Sequence, residues 1–317
     1  AITAKEAKSG SIPVIAGGQK PAYFHNEANR PANTITVSAS GAYAGYVAFH
    51  EIPIFASDCS TIEVKDNNEI SPKFLFYALK HLQDEIYKLQ QGGGQPHVYP
   101  KDLVSIEVPL PPLEVQTQIV TELEGYTAII DGAKKIVENW KPKIDINPEW
   151  EQVELGDLCN VYQPKTISGS EILKAGPYLV YGANGPIGFY DKYNHENPEV
   201  TITCRGATCG TVNFTKPKSW ITGNAMVVSP RDGRISKDFL RFLLSGISMS
   251  SVITGSAQPQ ITGATLKPFK IPVPPIELQG TIVLDLKRQE ELTAAVLALA
   301  SDYESKISRV VSDLWND

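Results

Sequence analysis

The chain has 317 residues, 42% of them hydrophobic and 20% charged, with a net charge of −6. That mixture fits a globular chain of about two domains and excludes a disordered, fibrous or uniformly basic nucleic-acid-coating protein. No apolar run approaches the ~18 residues of a spanning helix, and the four cysteines are too scattered for a disulfide framework or a metal pair. Ala1–Ser11 has no apolar stretch, so no signal peptide is read, and the chain is expected to be cytoplasmic with free thiols and no membrane partner.

From the N-terminus, short β-like runs at Ile12–Ile15, Thr34–Ser38, Tyr46–Phe49 and Thr61–Val64 are punctuated by Gly, Pro and Asn. A helix is expected over Pro72–Gln90, then a Gly/Gln/Pro loop, a strand over Val104–Val108 and a long helix from Pro112 to Trp140. In that helix Ile119, Leu123, Tyr126, Ile130, Ala133, Val137 and Trp140 follow a 4-3-4-3-4-3 spacing, a heptad seam.

The same order then recurs. Runs at Tyr178–Tyr181, Val200–Thr203, Thr211–Phe214 and Ala225–Val228 precede a helix over Lys237–Ser248, a strand over Phe269–Val273 and a second long helix. Its seam holds Ile282, Leu286, Val296, Leu299, Tyr303, Ile307, Val310 and Leu314, interrupted by Gln289 and Thr293. The repetition reaches individual residues: Pro109-Leu-Pro-Pro-Leu-Glu-Val-Gln116 returns as Pro272-Val-Pro-Pro-Ile-Glu-Leu-Gln279, and Gly41 and Gly45 return as Gly206 and Gly210. Each copy is a small α+β globule feeding a helix whose apolar stripe needs cover, and the other copy's helix is the cheapest. Residues 147–275 alone carry a positive balance, 12 basic against 10 acidic groups.

Segment Asn147–Lys165, with Trp150 and Leu155-Gly156-Asp157, has no first-copy equivalent, and no methionine starts the chain. The opening of the first globule is therefore expected to be missing, from either a truncated subunit or the tail of a longer polypeptide.

The duplicated globule, the Pro-Pro-Leu/Ile-Glu-x-Gln junction, the heptad helix after it and the Trp150…Leu155-Gly156-Asp157-Leu158-Cys159 opening resemble the DNA-specificity (S) subunit of type I restriction–modification systems. The resemblance spans nearly the whole chain. It implies an α+β architecture of two target recognition domains, 1–111 and 147–274, joined by helices at 112–146 and 275–317 that form an antiparallel coiled coil with pseudo-two-fold symmetry. It implies a partner set of double-stranded DNA, methyltransferase subunits (two by symmetry) and, in some complexes, endonuclease subunits. S-adenosylmethionine would be the methyltransferase's cofactor, with none bound by this chain. A close relative, the specificity region of a fused methyltransferase–specificity protein, fits the same features, and a purely structural coiled-coil adaptor is the reading outside DNA recognition. Helix Pro112–Trp140 would span about 43 Å at ~1.5 Å per residue, against ~34–36 Å between successive major-groove faces.

Candidate DNA contacts lie in the loop Gln95, His97, Tyr99 and its twin Gln258, Gln260, Thr262, since Gln pairs bidentately with adenine and the latter two positions differ between copies. Tyr43, Arg205 and Thr208 flank the paired glycines, which read as tight-turn positions. Lys20 and Arg30 in the first globule, and Arg205, Lys216 and Lys218 in the second, are phosphate candidates. Asn184 reads as a turn residue. No catalytic centre is expected. Asn147-Pro148-Glu149-Trp150 breaks the Asn-Pro-Pro-aromatic motif of adenine methyltransferases at Glu149. Gly-x-Gly-x-x-Gly, Walker-type and nucleophile-elbow motifs are absent, and the five histidines and four cysteines lack metal-ligand spacing.

Overall fold

The glycine-punctuated runs of both copies form strands in the computed structural model, which describes residues 2–255 and 258–315. Ser256 and Ala257 of the second Gln-Pro loop, and the extreme ends of the first and last expected segments, lie outside the described residues. The chain divides into two units, residues 1–136 with 296–317, and residues 137–295.

The first unit runs β1 (Ile12–Ile15), β2 (Tyr23–His25), β3 (Thr34–Ser38), β4 (Val47–His50), β5 (Phe55–Ala56), β6 (Cys59–Ile62), α1 (Pro72–His81), α2 (Gln83–Lys88), α3 (Pro100–Leu103) and the start of α4 (Leu113–Asn139). β2-β1-β5 make one small sheet and β4-β3-β6 another. All five residues of β3 are buried, as the β-branched run Thr-Ile-Thr-Val demands of a central strand. Ile35, Val37 and Val47 pack there against Leu79 of α1 and Ile86 of α2. The helix expected over Pro72–Gln90 breaks at the buried Leu82, beyond which the Gln83 side chain turns back to the β3–β4 turn. Its amide donates to the Gly45 carbonyl at 2.8 Å and its oxygen accepts the Val47 N–H at 3.0 Å.

The second unit runs β7 (Glu151–Glu154), α5 (Leu155–Leu158), β8 (Cys159–Tyr162), β9 (Tyr178–Gly182), β10 (Gly185–Tyr190), β11 (Val200–Thr203), β12 (Val212–Phe214), β13 (Trp220–Ile221), β14 (Ala225–Pro230), α6 (Lys237–Gly246), α7 (Gly263–Leu266), β15 (Lys270–Val273) and the start of α8 (Ile276–Asp313). Its sheets repeat the first unit's, β10-β9-β13 and β12-β11-β14, with β8 added to the edge of β14 and β7 paired to β15. These two additions account for a correction. The strand expected over Val104–Val108 does not form, and Val104 is 84% exposed. Its counterpart β15 has a partner in β7, whereas the first unit has no counterpart of β7 among the described residues. An extended segment without a partner gains no ladder hydrogen bonds.

The repeated junction before each long helix has a physical reason. Gln116 is completely buried; its oxygen accepts the Ser71 N–H at 2.8 Å and its amide donates to the Glu69 and Pro111 carbonyls, both at 2.8 Å. Gln279 is equally buried and repeats all three bonds, with the Ser236 N–H at 2.8 Å and the carbonyls of Arg234 at 2.8 Å and Pro274 at 3.0 Å. One fully satisfied amide thus fastens helix to globule in each unit.

Within the first unit α4 leaves the globule beside α1, where Glu124 pairs with Lys73, while α8 returns to it and Trp315, just beyond its end, lies against His81, centroids 5.2 Å apart. The two helices are therefore antiparallel. Their seam is Ile130 and Ala133 against Ala300, flanked by Val296, Tyr303 and Ile307, with Tyr126 on Tyr303 at 5.1 Å and Lys134 paired to Glu304 at 2.8 Å. Two seam assignments need correction. Leu299 is exposed and Ala300 takes its place, because the 4-3-4 rhythm 296-300-303-307 keeps the stripe on one face and two alanines let the helices approach. Ile282 packs on the second globule's own core beside Val283, since the Gln279 junction lays the first turns of α8 on that globule. Leu123 and Leu286 are buried, Ile119 and Val137 half-buried, and Trp140 follows the last turn of α4.

All four thiols are free, and burial raises each above its ordinary pKa, Cys159 to about 12. Because the thiolate is the nucleophile, native protein at pH 7 should take up little iodoacetamide, and denatured protein four equivalents by mass spectrometry. Rapid native labelling of Cys159 would contradict the packing described. No helix among the described residues is long and apolar enough to cross a membrane.

Candidate nucleic-acid interface

In each unit three loops meet at one end of the sheets. The β3–β4 turn carries Gly41 at φ +84° and Gly45 at φ +92°, and the β11–β12 turn carries Gly206 at +86° and Gly210 at +91°. These left-handed positions need glycine, and they produce the same backbone bonds in both turns. Gly45 N–H donates to Ser38 O at 2.7 Å as Gly210 N–H does to Thr203 O at 2.9 Å. The Gln-Pro loop then closes on each turn, Gly41 N–H to Pro96 O at 3.0 Å and Gly206 N–H to Pro259 O at 3.1 Å. The third loop is the β1–β2 or β9–β10 turn. A Cβ on Gly17 would lie 2.5 Å from the Ser40 carbonyl, and Thr203 Oγ donates to the Ala183 carbonyl.

This end gathers Lys20, Tyr43, Gln95, His97 and Tyr99 in the first unit, and Arg205, Thr208, Gln258, Gln260 and Thr262 in the second. His97 is half-buried and stacks on Tyr99 at 5.9 Å, with the Lys101 ammonium 5.6 Å from the Tyr99 ring. Thr262 is partly committed, since its hydroxyl caps α7 by accepting the Thr265 N–H at 3.2 Å. The other cations lie elsewhere. Arg30 precedes β3, one strand length (~17 Å) from the turn, where it pairs with Glu63 at 3.4 Å. Lys216 and Lys218 follow β12, at the opposite end from the glycine turn, and Lys218 pairs with Glu196 at 3.7 Å.

Sequence reasoning missed Ser40, Gln91 and Thr254, which bridge to His97 or Gln260, and gave Asn184 only a turn role although its turn stands beside the β11–β12 turn. The available signal was the common offset: Gln19 and Asn184 are counterparts, as are Ser40 and Arg205. Also unforeseen is a cleft of about 670 Å³ in the first unit, leading from Lys20 and Tyr46 to His50 and Lys80. Lys80 sits 4.0 Å over the Tyr46 ring, and burial lowers the pKa of both Lys80 and His50. Among the described residues no three His, Cys, Asp or Glu side chains converge as metal ligands.

Each long helix also carries an exposed apolar stripe of its own. Val115, Ile129 and Ile136 on α4 are exposed, and so are Leu278, Leu292 and Leu299 at the equivalent positions of α8, each 163 residues later. Ile136 is 54% and Leu292 59% exposed. These are second heptad stripes, separate from the seam.

A family model described as the type I restriction modification DNA specificity domain matches residues 1–139 and again 147–297. The EcoprrI type I restriction enzyme specificity subunit of Escherichia coli is 25% identical over 311 residues, 89% of this chain and 75% of its own length. The MjaVIII specificity subunit of Methanocaldococcus jannaschii is 25% identical over 315 residues, covering 82% and 73%. The crystal structure of a type I S subunit from M. genitalium aligns with a TM-score of 0.55 at 20% identity, over 98% of this chain and 91% of that one, a likeness of fold.

Proposed function

The chain belongs to the family of type I restriction–modification DNA specificity domains, and from that premise we propose that it is the sequence-reading subunit of a restriction–modification complex, with no chemistry of its own. Each unit would read one half of a split, asymmetric DNA site. The observation that carries this reading is the pair of loop clusters, which share their backbone hydrogen bonds and differ in their exposed side chains. A common frame with exchanged side chains is what two unlike readers require. Methylome sequencing of DNA modified by this chain with its cognate methyltransferase tests it. A two-part adenine motif with a fixed gap is expected, and modification without a defined motif would refute it.

The exposed stripes at equivalent places on α4 and α8 support two methyltransferase subunits, one on each helix. S-adenosylmethionine and methyl transfer to adenine belong to those partners, and cleavage to endonuclease subunits of the same system. Cellular DNA as the substrate places this work in the cytoplasm.

The long helices would set the unread gap. Four residues added to both lengthen each by about 6 Å, equivalent to about two base pairs at ~3.4 Å per step. Methylome sequencing of that variant should show a gap about two base pairs longer, and an unchanged gap would reject the helices as its ruler.

A further inference from the structure

Two backbone bonds define how the second Gln-Pro loop meets its turn. Gly206 N–H donates to Pro259 O at 3.1 Å, and Ile261 N–H donates to Cys204 O at 2.9 Å. This pattern makes Arg205 and Gln260 the close, non-hydrogen-bonded kind of antiparallel pair, with Cα atoms ~4.5 Å apart and both side chains on one face. On the other side of Gln260, Thr254 and Gln260 exchange both backbone bonds, at 2.9 and 2.8 Å, so Thr254 continues the row.

The first unit has the same frame. Gly41 N–H to Pro96 O and Val98 N–H to Ala39 O, both 3.0 Å, pair Ser40 with His97, and two 2.8 Å bonds pair His97 with Gln91. Main-chain atoms build both frames, and all three side chains differ between them. Each row is about 10 Å wide, close to three base steps of ~3.4 Å.

Resting on the DNA-reading function above, we propose that these rows are the specificity-determining residues, and that Arg205–Gln260–Thr254 reads a guanine beside an adenine. The two rows differ in electrostatics. In the first, Ser40 Oγ donates to Asp58 and the Gln91 amide donates to Asp102 at 3.1 Å, so carboxylates tie up two of its three members. In the second, Arg205 and Gln260 are exposed, and among the described residues Arg205 makes no ion pair and the Gln260 side chain no hydrogen bond. A free guanidinium matches O6 and N7 of guanine, and a free carboxamide matches N6 and N7 of adenine. Their adjacency in the row makes the two bases neighbours.

The test exchanges the second row for the first, Arg205→Ser, Gln260→His and Thr254→Gln, in the complex with the cognate methyltransferase, and reads the methylome. The second half-site should lose its guanine–adenine step while the first half-site and the gap stay as they were. Arg205→Lys, which keeps the charge and loses the bidentate fork, should lower the preference for guanine at one position by about 10-fold or more. A second half-site unaltered by the exchange overturns the proposal. So does a parent motif whose second half lacks the step, or an undiminished guanine preference in Arg205→Lys, which is read even where the triple variant fails to assemble. A parent complex with no two-part motif at all instead refutes the DNA-reading function itself.

Discussion

Replacing Gln279 by leucine is expected to cost the second unit about 3–6 kcal/mol. The substitution leaves the Ser236 N–H and the carbonyls of Arg234 and Pro274 without their partner, around a side chain that is itself fully buried. Each abandoned buried group costs about 1–3 kcal/mol, a large share of the ~5–15 kcal/mol that holds a domain together. Leucine fills most of the volume, so lost hydrogen bonds and not a cavity dominate. A fall in melting temperature on the order of 10 °C should be seen by calorimetry. Gln116→Leu should do the same to the first unit, where the amide meets Ser71, Glu69 and Pro111. Gln289→Leu, whose amide among the described residues meets only Asp285 on the helix surface, should shift stability by less than ~0.5 kcal/mol. A Gln279→Leu protein as stable as the parent would mean that the Pro-Pro turn alone holds the junction.

The second large effect concerns assembly. Ile129→Asp places a carboxylate in the middle of the exposed α4 stripe, and Leu292→Asp does so on α8. Neither residue contributes to a described core, so both variants should fold and melt like the parent. If each stripe holds one methyltransferase subunit, a desolvated carboxylate at its centre should weaken that contact by about 30-fold or more. Native mass spectrometry should then find one methyltransferase on either single variant and none on the double variant. A full complement on the double variant would move the docking site off these helices.

Much of the architecture was legible in the residues. The glycine-punctuated β-branched runs marked the strands, Ile12–Ile15, Thr34–Ser38 and Val200–Thr203 among them, because alternation and turn chemistry act over a few neighbours. The duplication followed from aligned blocks, and with it the expectation of two like units. The candidate interface was half visible: the loops around His97 and Gln260 stood out by composition, while Ser40 did not, since it joins the row from a loop far away in the chain, nor did Gln91 and Thr254, which join it only through single bridges outside the strands.

Local sequence therefore determined the central strands, the long helices, the repeat and the glycine turns, because each depends on periodicity or on one residue's backbone freedom. The short strands β2, β5, β7, β8, β10 and β13 were not legible in it. Tertiary structure alone decided the rest. Val104–Val108 stays unpaired because a strand exists only with a partner, and Ala300 rather than Leu299 lines the seam because a stripe is chosen by the surface facing it. Arg205 stands beside Gln260 because backbone bonds between distant loops put it there, and no spacing along the chain encodes that proximity.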